Sequence, residues 1–248
     1  LVGFLVFILN VNIEKTIFVL TNQYANYQLL TKPEENQKEL VINETFSSRL
    51  DKHLTGYPYI EKIKTILFHD LNIKDSTILV LGAGGFTLSA ETAQHNYFIY
   101  VDIDSAIKKV AVPQFLNKLN GTLLADDARH FLQTSKERYP VIVVDAYTDV
   151  KAIPAHLITQ EYLRSIAQHL TPHGVAIFNV IANPFLTDHY SKRIDNTIRH
   201  VFNNCMAEPL IYRNAPSNII YLCHPHDYID KTIYTDNHNT STTDSFVW

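Results

Sequence analysis

Acidic side chains follow three successive apolar runs in the middle of this chain. Asp102 follows the run FIYV, Asp127 lies just beyond GTLLA, and Asp145 follows VIVV. An earlier run, ILVL, leads into the small-residue turn Gly82-Ala83-Gly84-Gly85. If these runs are strands of one parallel sheet, the residues that follow them meet at the edge where such sheets bind ligands. The pattern therefore indicates a site for a small polar ligand.

The spacing of these residues favours an adenosyl nucleoside. Asp102 lies 20 positions beyond Gly82, the separation at which an acidic side chain accepts hydrogen bonds from ribose hydroxyls. A ribose diol occurs in both NAD and S-adenosylmethionine. However, the third glycine of a dinucleotide fingerprint would fall at Thr87, which weakens a pyrophosphate interpretation. Asp127 is placed to accept an adenine amino group.

Some of these side chains have a structural alternative. Aspartate is a favoured helix N-cap, and we expect Asp75 and Asp126 to serve only in that way. Phe86 and Tyr147 lie beside strand ends, and the sequence leaves open whether they pack in the core or form walls of a substrate pocket. For Asp102, Asp127 and Asp145 together we predict a functional role.

Composition limits the class of ligand. The chain has 248 residues, 46% of them hydrophobic and 19% charged, with a net charge of -4. It therefore lacks the broad cationic field that nucleic acid binding requires, and a small molecule is expected instead. Cys205 and Cys223 form neither a CxxC pair nor a disulfide framework, so we predict two core thiols and a reducing compartment.

The histidines do not suggest a metal centre. His169 and His173 flank Thr171-Pro172, where proline breaks a helical i, i+4 pair, and the segment HPH at 224–226 lacks convergent carboxylates. We therefore predict surface or hydrogen-bonded core histidines and no metal. The N-terminal run LVGFLVFIL has nine apolar residues, short of the roughly 20 that cross a membrane. It could be a buried strand, the tail of a removed signal or the stub of an upstream membrane segment.

Periodicity predicts an α/β fold. Short β segments fill residues 1–58, and from Tyr59 apolar strands alternate with helical stretches. We predict a mostly parallel seven-stranded sheet of the Rossmann-like, methyltransferase type at 59–225, a small β-domain at 1–58 and a polar tail at 226–248. The expected strands are Ile78–Leu81, Phe98–Ile103, Gly121–Leu124, Val141–Val144 and Val175–Val180, followed by an antiparallel hairpin of Met206–Tyr212 and Asn218–Cys223.

Longer segments stand in a recognisable order along the chain: LVLGAGG, YVDID, LLADDARHFL, VIVVDAYTD and IPAHLITQEYLRSIAQHLTPHGVAIFNV. This order resembles the spermidine synthase (polyamine aminopropyltransferase) family, above all its divergent bacterial members, some of which follow membrane segments. ELVINETFSSRLD resembles the family's N-terminal hairpin, GYPYIEKI its tyrosine-bearing helix start and NAPSNIIYL a late strand. The resemblance covers residues from about Tyr24 to Leu222.

The resemblance implies a role for each matching residue. Asp145 would accept the proton of the attacking amine as catalytic base. The nucleoside would be bound by the matching residues Gly82, Gly84, Asp102, Asp127 and Ala128, and we also predict Ala83, Gly85 and Ile103 at this site. The amine site would be lined by the matching Tyr59, and we also predict Tyr147, Asp149 and Ser47 there. The implied donor is decarboxylated S-adenosylmethionine, the implied acceptor a small-molecule amine such as putrescine, and the implied assembly a homodimer.

The chain also departs from the family pattern. The family's turn reads Gly-Gly-Gly-Asp-Gly, and its Asp holds the amino end of the donor, whereas this chain has Gly85 followed by Phe86. Ser47 replaces a Gln, Ile60 replaces a His or Gln, and DAYTD replaces DSSDP. Two further hypotheses follow: a methyltransferase in which Gly85 makes room for the carboxylate of intact S-adenosylmethionine, and a non-catalytic nucleoside-binding module. We expect a cytoplasmic protein, tethered to the membrane if the N-terminal run is a truncated membrane stub.

Overall fold

The structure is a computed structural model, and it describes residues 17–90, 95–147 and 153–225. Its N-terminal part forms a four-stranded antiparallel sheet in the order β1-β2-β3-β4. The strands are β1 (Leu20–Thr21), β2 (Asn26–Lys32), β3 (Gln37–Ile42) and β4 (Thr45–Asp51). One extra residue in β4, Ser47, bulges between the pairs Leu40–Ser48 and Val41–Phe46.

The larger sheet has seven strands in the order β10-β11-β9-β8-β5-β6-β7, parallel from β9 to β7 and antiparallel at β10 and β11. The predicted mostly parallel α/β sheet with a small N-terminal β-sheet is thus confirmed. The first hairpin strand lies slightly earlier in the chain than predicted. The strands are β5 (Thr77–Leu81), β6 (Tyr97–Asp102), β7 (Gly121–Ala125), β8 (Tyr139–Val144), β9 (Leu170–Ala182), β10 (Asn204–Pro209) and β11 (Ser217–His224).

Helices cover both faces of this sheet, which explains why its central strands are apolar throughout. In β5, Ile78 and Val80 pack on one side and Leu79 and Leu81 on the other. Two helices and the N-terminal sheet cover the first side: α1 (Pro58–Lys64) and α2 (Ala106–Ala111). Three helices cover the second: α3 (Ala128–Thr134), α4 (Gln160–Gln168) and α5 (His189–Val201).

The prediction of two core thiols is wrong, because Cys205 and Cys223 form a disulfide. They are 18 positions apart in sequence but lie directly opposite each other in the antiparallel pair of β10 and β11, with Cα atoms 4.2 Å apart. Antiparallel pairing brings their side chains together. The inference of a reducing compartment therefore loses its basis.

The predictions for Asp75 and for the two ends of the chain compare differently with the structure. Asp75 is not a helix cap: it lies in the turn before β5 with a left-handed backbone (φ 49°) and an exposed side chain. The apolar run at 1–9 and the predicted tail at 226–248 lie outside the described residues, and the predicted boundary between residues 58 and 59 stays a prediction. No helix in the described ranges is long and apolar enough to cross a membrane.

A buried carboxylate joins the N-terminal sheet to the larger sheet. Asp104, just after β6, accepts hydrogen bonds through Oδ2 from the Tyr27 hydroxyl at 2.6 Å and from Asn22 Nδ2 at 2.7 Å. Its Oδ1 accepts from the Ala106 backbone N–H at 2.9 Å. Burial, together with Asp104, raises the pKa of Tyr27 above its usual range, so the phenol remains a donor. These bonds hold the N-terminal sheet over the carboxyl ends of the parallel strands.

We expect Tyr27→Phe to lower the free energy of unfolding by about 1.5–3 kcal/mol, because it removes a donor from a buried carboxylate. Chemical denaturation monitored by circular dichroism measures this change. The matched control is Tyr97→Phe, because Tyr97 is exposed; it should stay within about 0.5 kcal/mol of the wild type. Equal stabilities for the two variants would contradict a structural role for the Tyr27–Asp104 contact.

Candidate active site

A cavity of about 1230 Å³ lies between the N-terminal sheet and the carboxyl ends of the parallel strands. Its lining is strongly acidic. Among the described residues that line it, Lys32 is the one lysine or arginine, and His156 is the one histidine. The described lining residues include six carboxylates: Glu39, Asp102, Asp104, Asp126, Asp127 and Asp145. The arrangement suits a ligand that carries positive charge.

The turn after β5 forms one wall of this cavity and is tied to the end of β6. Gly82 has a φ of 99°, and a Cβ there would lie 2.4 Å from the Asp145 carbonyl oxygen, so only glycine fits. The Ala83 backbone N–H donates to Asp102 Oδ2 at 2.9 Å, and the Asp104 N–H donates to Oδ1 at 3.0 Å. Burial raises the pKa of Asp102, while these two hydrogen bonds oppose that rise. Each oxygen retains a lone pair for a ligand hydroxyl.

Gly85 does not line the cavity. Its backbone N–H donates to Ser48 Oγ at 2.7 Å, and a Cβ at this position would lie 2.5 Å from Phe115 Cε1 and 2.9 Å from Ser48 Cβ. Phe86 is fully buried with its ring edge-on to Tyr100 at 4.9 Å, so of its two alternatives the structure supports packing. The turn therefore presents Gly82, Ala83 and Gly84 to the cavity.

Asp127 is a helix N-cap and also lines the cavity. It is the N-cap of α3, where its Oδ1 accepts from the backbone N–H groups of Arg129 and His130 at 2.9 and 3.0 Å. Its Oδ2 lies 2.9 Å from His156 Nε2. Burial would raise the pKa of Asp127, but these hydrogen bonds hold it below its usual range. The prediction that Asp126 is a cap is wrong by one position, since its carboxylate instead lies 2.8 Å from His130 Nδ1.

Asp145 lies at the end of β8, half-buried in the cavity wall. Its Oδ1 accepts from Asn179 Nδ2 at 2.8 Å, and the Tyr59 hydroxyl interacts with the carboxylate as a second donor that lowers its pKa. Burial raises the pKa of Asp145, and the two donors limit the rise. Burial and the adjacent Asp145 raise the pKa of Tyr59 well above its usual range. An ionised carboxylate with fixed donors can receive a proton from a cationic amine.

The other predicted site residues lie around this core. Tyr147 lines the cavity, donating its hydroxyl to the Asn179 carbonyl oxygen at 2.9 Å and accepting from the Ile181 N–H at 2.7 Å. Ser47, Ile103 and Ala128 also line it. Asp149 lies outside the described residues.

Among the cavity residues that were not predicted from the sequence are Asn179, Asn218 and His156. Asn179 stands inside an apolar strand and His156 in an isolated helical turn, and neither position carries a local signal of function. No group of three or more His, Cys, Asp or Glu side chains within the described ranges is arranged to hold a metal ion. His169 is buried, with both ring nitrogens against backbone carbonyl oxygens of Ser165 and Ser135 at 2.7 and 3.1 Å.

Curated polyamine aminopropyltransferases are similar to this chain in sequence, and two of them show the extent of the match. The "Probable polyamine aminopropyl transferase" of Bifidobacterium longum is 29% identical over 155 residues, which cover 62% of this chain and 34% of that protein. The "Polyamine aminopropyltransferase" of Vibrio vulnificus is also 29% identical, over 59% of this chain and 49% of that protein. The chain thus spans between a third and a half of the length of these relatives.

The fold has a solved counterpart. The crystal structure of a "probable spermidine synthase" from Corynebacterium glutamicum aligns with a TM-score of 0.72 at 18% identity, covering 87% of this chain and 82% of that one. At this identity the likeness shows the fold alone. Membership of a family is shown by a sequence model, "Spermine/spermidine synthase domain", which matches residues 58–232. This match includes the glycine turn and all three strand-end acids, and the chain therefore belongs to the spermine/spermidine synthase family.

Proposed function

We propose that this chain is a polyamine aminopropyltransferase that uses decarboxylated S-adenosylmethionine. The observation that carries the proposal is a cavity whose described lining residues include six carboxylates and one lysine, with Asp145 in its wall. Decarboxylated S-adenosylmethionine carries a sulfonium and an ammonium, and an amine acceptor is also a cation. A carboxylate-rich cavity stabilises these charges together.

The nucleoside would occupy the side of the cavity formed by the glycine turn and the ends of β6 and β7. Asp102 would accept hydrogen bonds from the ribose hydroxyls. Asp127 Oδ2, which His156 already holds in place, would accept from the adenine amino group. Ile103 and Ala128 would border the base, since both line the cavity beside these acids. This assignment follows the resemblance residue by residue.

Asp145 would act on the attacking amine. The ammonium of the acceptor gives its proton to the Asp145 carboxylate, and the nitrogen lone pair attacks the propyl carbon attached to sulfur. A C–N bond forms as the C–S bond breaks, and the bonding electrons return to sulfur, leaving neutral methylthioadenosine. Positioned proton removal of this kind contributes about 10²–10⁴-fold to a rate. Tyr59, Tyr147 and Ser47 would border the acceptor, putrescine or a related amine.

Electrostatics separate this proposal from methyl transfer by intact S-adenosylmethionine. The intact cofactor carries a carboxylate, and Lys32 is the one lysine or arginine among the described residues that line the cavity. Its Nζ is already engaged by Glu39 Oε1 at 3.1 Å. The missing acid at Gly85 leaves no new space for a carboxylate either, because Phe115 and Ser48 occupy that space.

We expect purified protein to form methylthioadenosine from decarboxylated S-adenosylmethionine and putrescine, and Asp145→Asn to reduce kcat by at least about 10²-fold. Because burial raises the pKa of Asp145, the acid limb of kcat/KM should lie above pH ~3.9, and activity is lost as the pH falls through it. Calorimetry should give tighter binding of the decarboxylated donor than of intact S-adenosylmethionine, in wild type and variant alike. Binding without turnover over an amine panel would leave a nucleoside-binding module, and methyl transfer would favour the methyltransferase.

We expect Asp102→Ala to weaken binding of methylthioadenosine by about 1.5–3 kcal/mol, roughly 10- to 150-fold in Kd, through loss of hydrogen bonds to a charged acceptor. Calorimetry measures the change. Asp70→Ala is the control, because Asp70 is an exposed acid outside the cavity. An unchanged Kd for Asp102→Ala would remove this residue from the proposed nucleoside site.

Restoring the family's acid by Gly85→Asp should destabilise the protein by about 1–3 kcal/mol through overpacking against Phe115 and Ser48. Denaturation of Gly85→Asp, Phe115→Ala and the double variant forms a thermodynamic cycle. The double variant should be more stable than the sum of the single effects predicts, because the smaller side chain at 115 admits the new one. Strict additivity would show that Phe115 does not close this position.

A further inference from the structure

Three polar side chains from adjacent strands form a continuous line of hydrogen bonds that ends at Asp145. Asn218, in β11, donates from Nδ2 to Asn179 Oδ1 at 2.8 Å. Asn179, in β9, donates from Nδ2 to Asp145 Oδ1 at 2.8 Å. All three side chains line the cavity, and β8, β9 and β11 are neighbours in the sheet.

The chemistry of these groups fixes the direction of the line. An ionised carboxylate can only accept hydrogen bonds, so Asn179 must present its NH₂ group to Asp145. The side-chain oxygen of Asn179, Oδ1, then faces Asn218, so Asn218 must donate. An amide turned by 180° would place an oxygen against the carboxylate. Asn218 therefore determines which end of the Asn179 side-chain amide faces Asp145.

The surroundings of Asn179 leave it little freedom. Its side chain is 4% exposed, so rotation to solvent would require local opening. The Tyr147 hydroxyl donates to the backbone carbonyl oxygen of Asn179 and accepts from the Ile181 N–H. These two hydrogen bonds hold the backbone on either side of Val180. The strand pairing places Ile220 opposite Asn179, two positions beyond Asn218. The amide pair is thus held by the sheet itself.

We propose that Asn179, oriented by Asn218, is a positioning residue that holds one oxygen of Asp145 so that the other faces the attacking amine. The role toward an amine rests on the function proposed above, whereas the orientation of the carboxylate does not. Neither asparagine would touch the transferred group. The two asparagines thus set the orientation of the Asp145 carboxylate and the pH at which it ionises.

Two ionisable groups in the part of the chain that the structure describes, Tyr59 and Tyr147, interact electrostatically with Asp145, and neither obscures its titration. Tyr59 reaches it from α1, and Tyr147 approaches it from the segment after β8. Burial and the negative charge of Asp145 raise the pKa of both phenols well above the usual range, so both stay neutral at acid and neutral pH. A change in the titration of Asp145 therefore reports on its own hydrogen bonds.

The decisive variant is Asn218→Asp. Its carboxylate can only accept, so Asn179 must turn its NH₂ group toward position 218 and its oxygen toward Asp145. We expect the titration midpoint of Asp145 to rise by about one to two pH units, the equivalent of a lost hydrogen bond to a charged group. Asn179→Leu, which removes the donor without adding charge, should raise the midpoint by a similar amount. Asn218→Ser, which can still donate, should restore most of the wild-type midpoint.

The midpoint is measured by ¹³C carboxyl NMR on the full chain, with the Asp145 signal assigned through its absence in Asp145→Asn. This readout needs no activity, so a wild type that fails to transfer aminopropyl groups would overturn the proposed function and leave the test of the amide pair intact. Where transfer is detected, the acid limb of kcat/KM should move with the NMR midpoint.

The double variant Asn179→Leu/Asn218→Asp separates the amide pair from direct charge repulsion. If Asn218 acts through Asn179, the new Asp adds little to the shift already caused by Asn179→Leu. An undiminished second shift would mean that charge at 218 acts through space and would overturn the orienting role. A midpoint unchanged in both single variants would overturn the proposal outright, and Asn218→Asp and Asn218→Ser supply the comparison should Asn179→Leu fail to fold.

Discussion

Carboxylates gathered in one cavity repel one another and lose hydration, and each remains ionisable only if the protein supplies hydrogen-bond donors. The fold meets this requirement differently at each strand end. Backbone N–H groups serve Asp102, a helix N-terminus and an imidazole serve Asp127, and an amide and a phenol serve Asp145. Burial raises the pKa values of Asp102 and Asp145 in spite of their donors, whereas the donors of Asp127 hold its pKa below the usual range.

The N-terminal sheet completes the cavity that the larger sheet only begins. Asp104 accepts hydrogen bonds from the Tyr27 hydroxyl and the Asn22 amide. The end of β6 that carries Asp102 therefore also anchors the N-terminal sheet. The bulge at Ser47 allows two consecutive serines to face the glycine turn: Ser48 Oγ binds the Gly85 N–H, while Ser47 lines the cavity. The N-terminal sheet thus lines the cavity and is anchored beside Asp102.

Position 85 is where this chain departs from the family's glycine turn. Phe115 fills the space into which an acid would project, so the amino end of a decarboxylated donor would have to be bound by other carboxylates of the cavity. Asp145 is one such carboxylate. In this arrangement its orientation matters doubly, because it would face both the donor and the acceptor. The amide pair of Asn179 and Asn218 is the feature of the structure that fixes that orientation.

The sequence by itself determined the sheet and the meeting of its acids, because apolar runs that each end in a polar residue place those residues at one edge of a parallel sheet. It did not determine the disulfide, the close packing of Phe115 against Gly85, or the hydrogen-bond partners His156 of Asp127 and Asn179 of Asp145. Each of these depends on residues that meet across separate parts of the chain. Cys205 meets Cys223 through antiparallel register, and the Phe115 ring packs against Gly85. Local pattern records the direction of a chain and the burial of its faces, whereas only the tertiary structure decided which groups became neighbours.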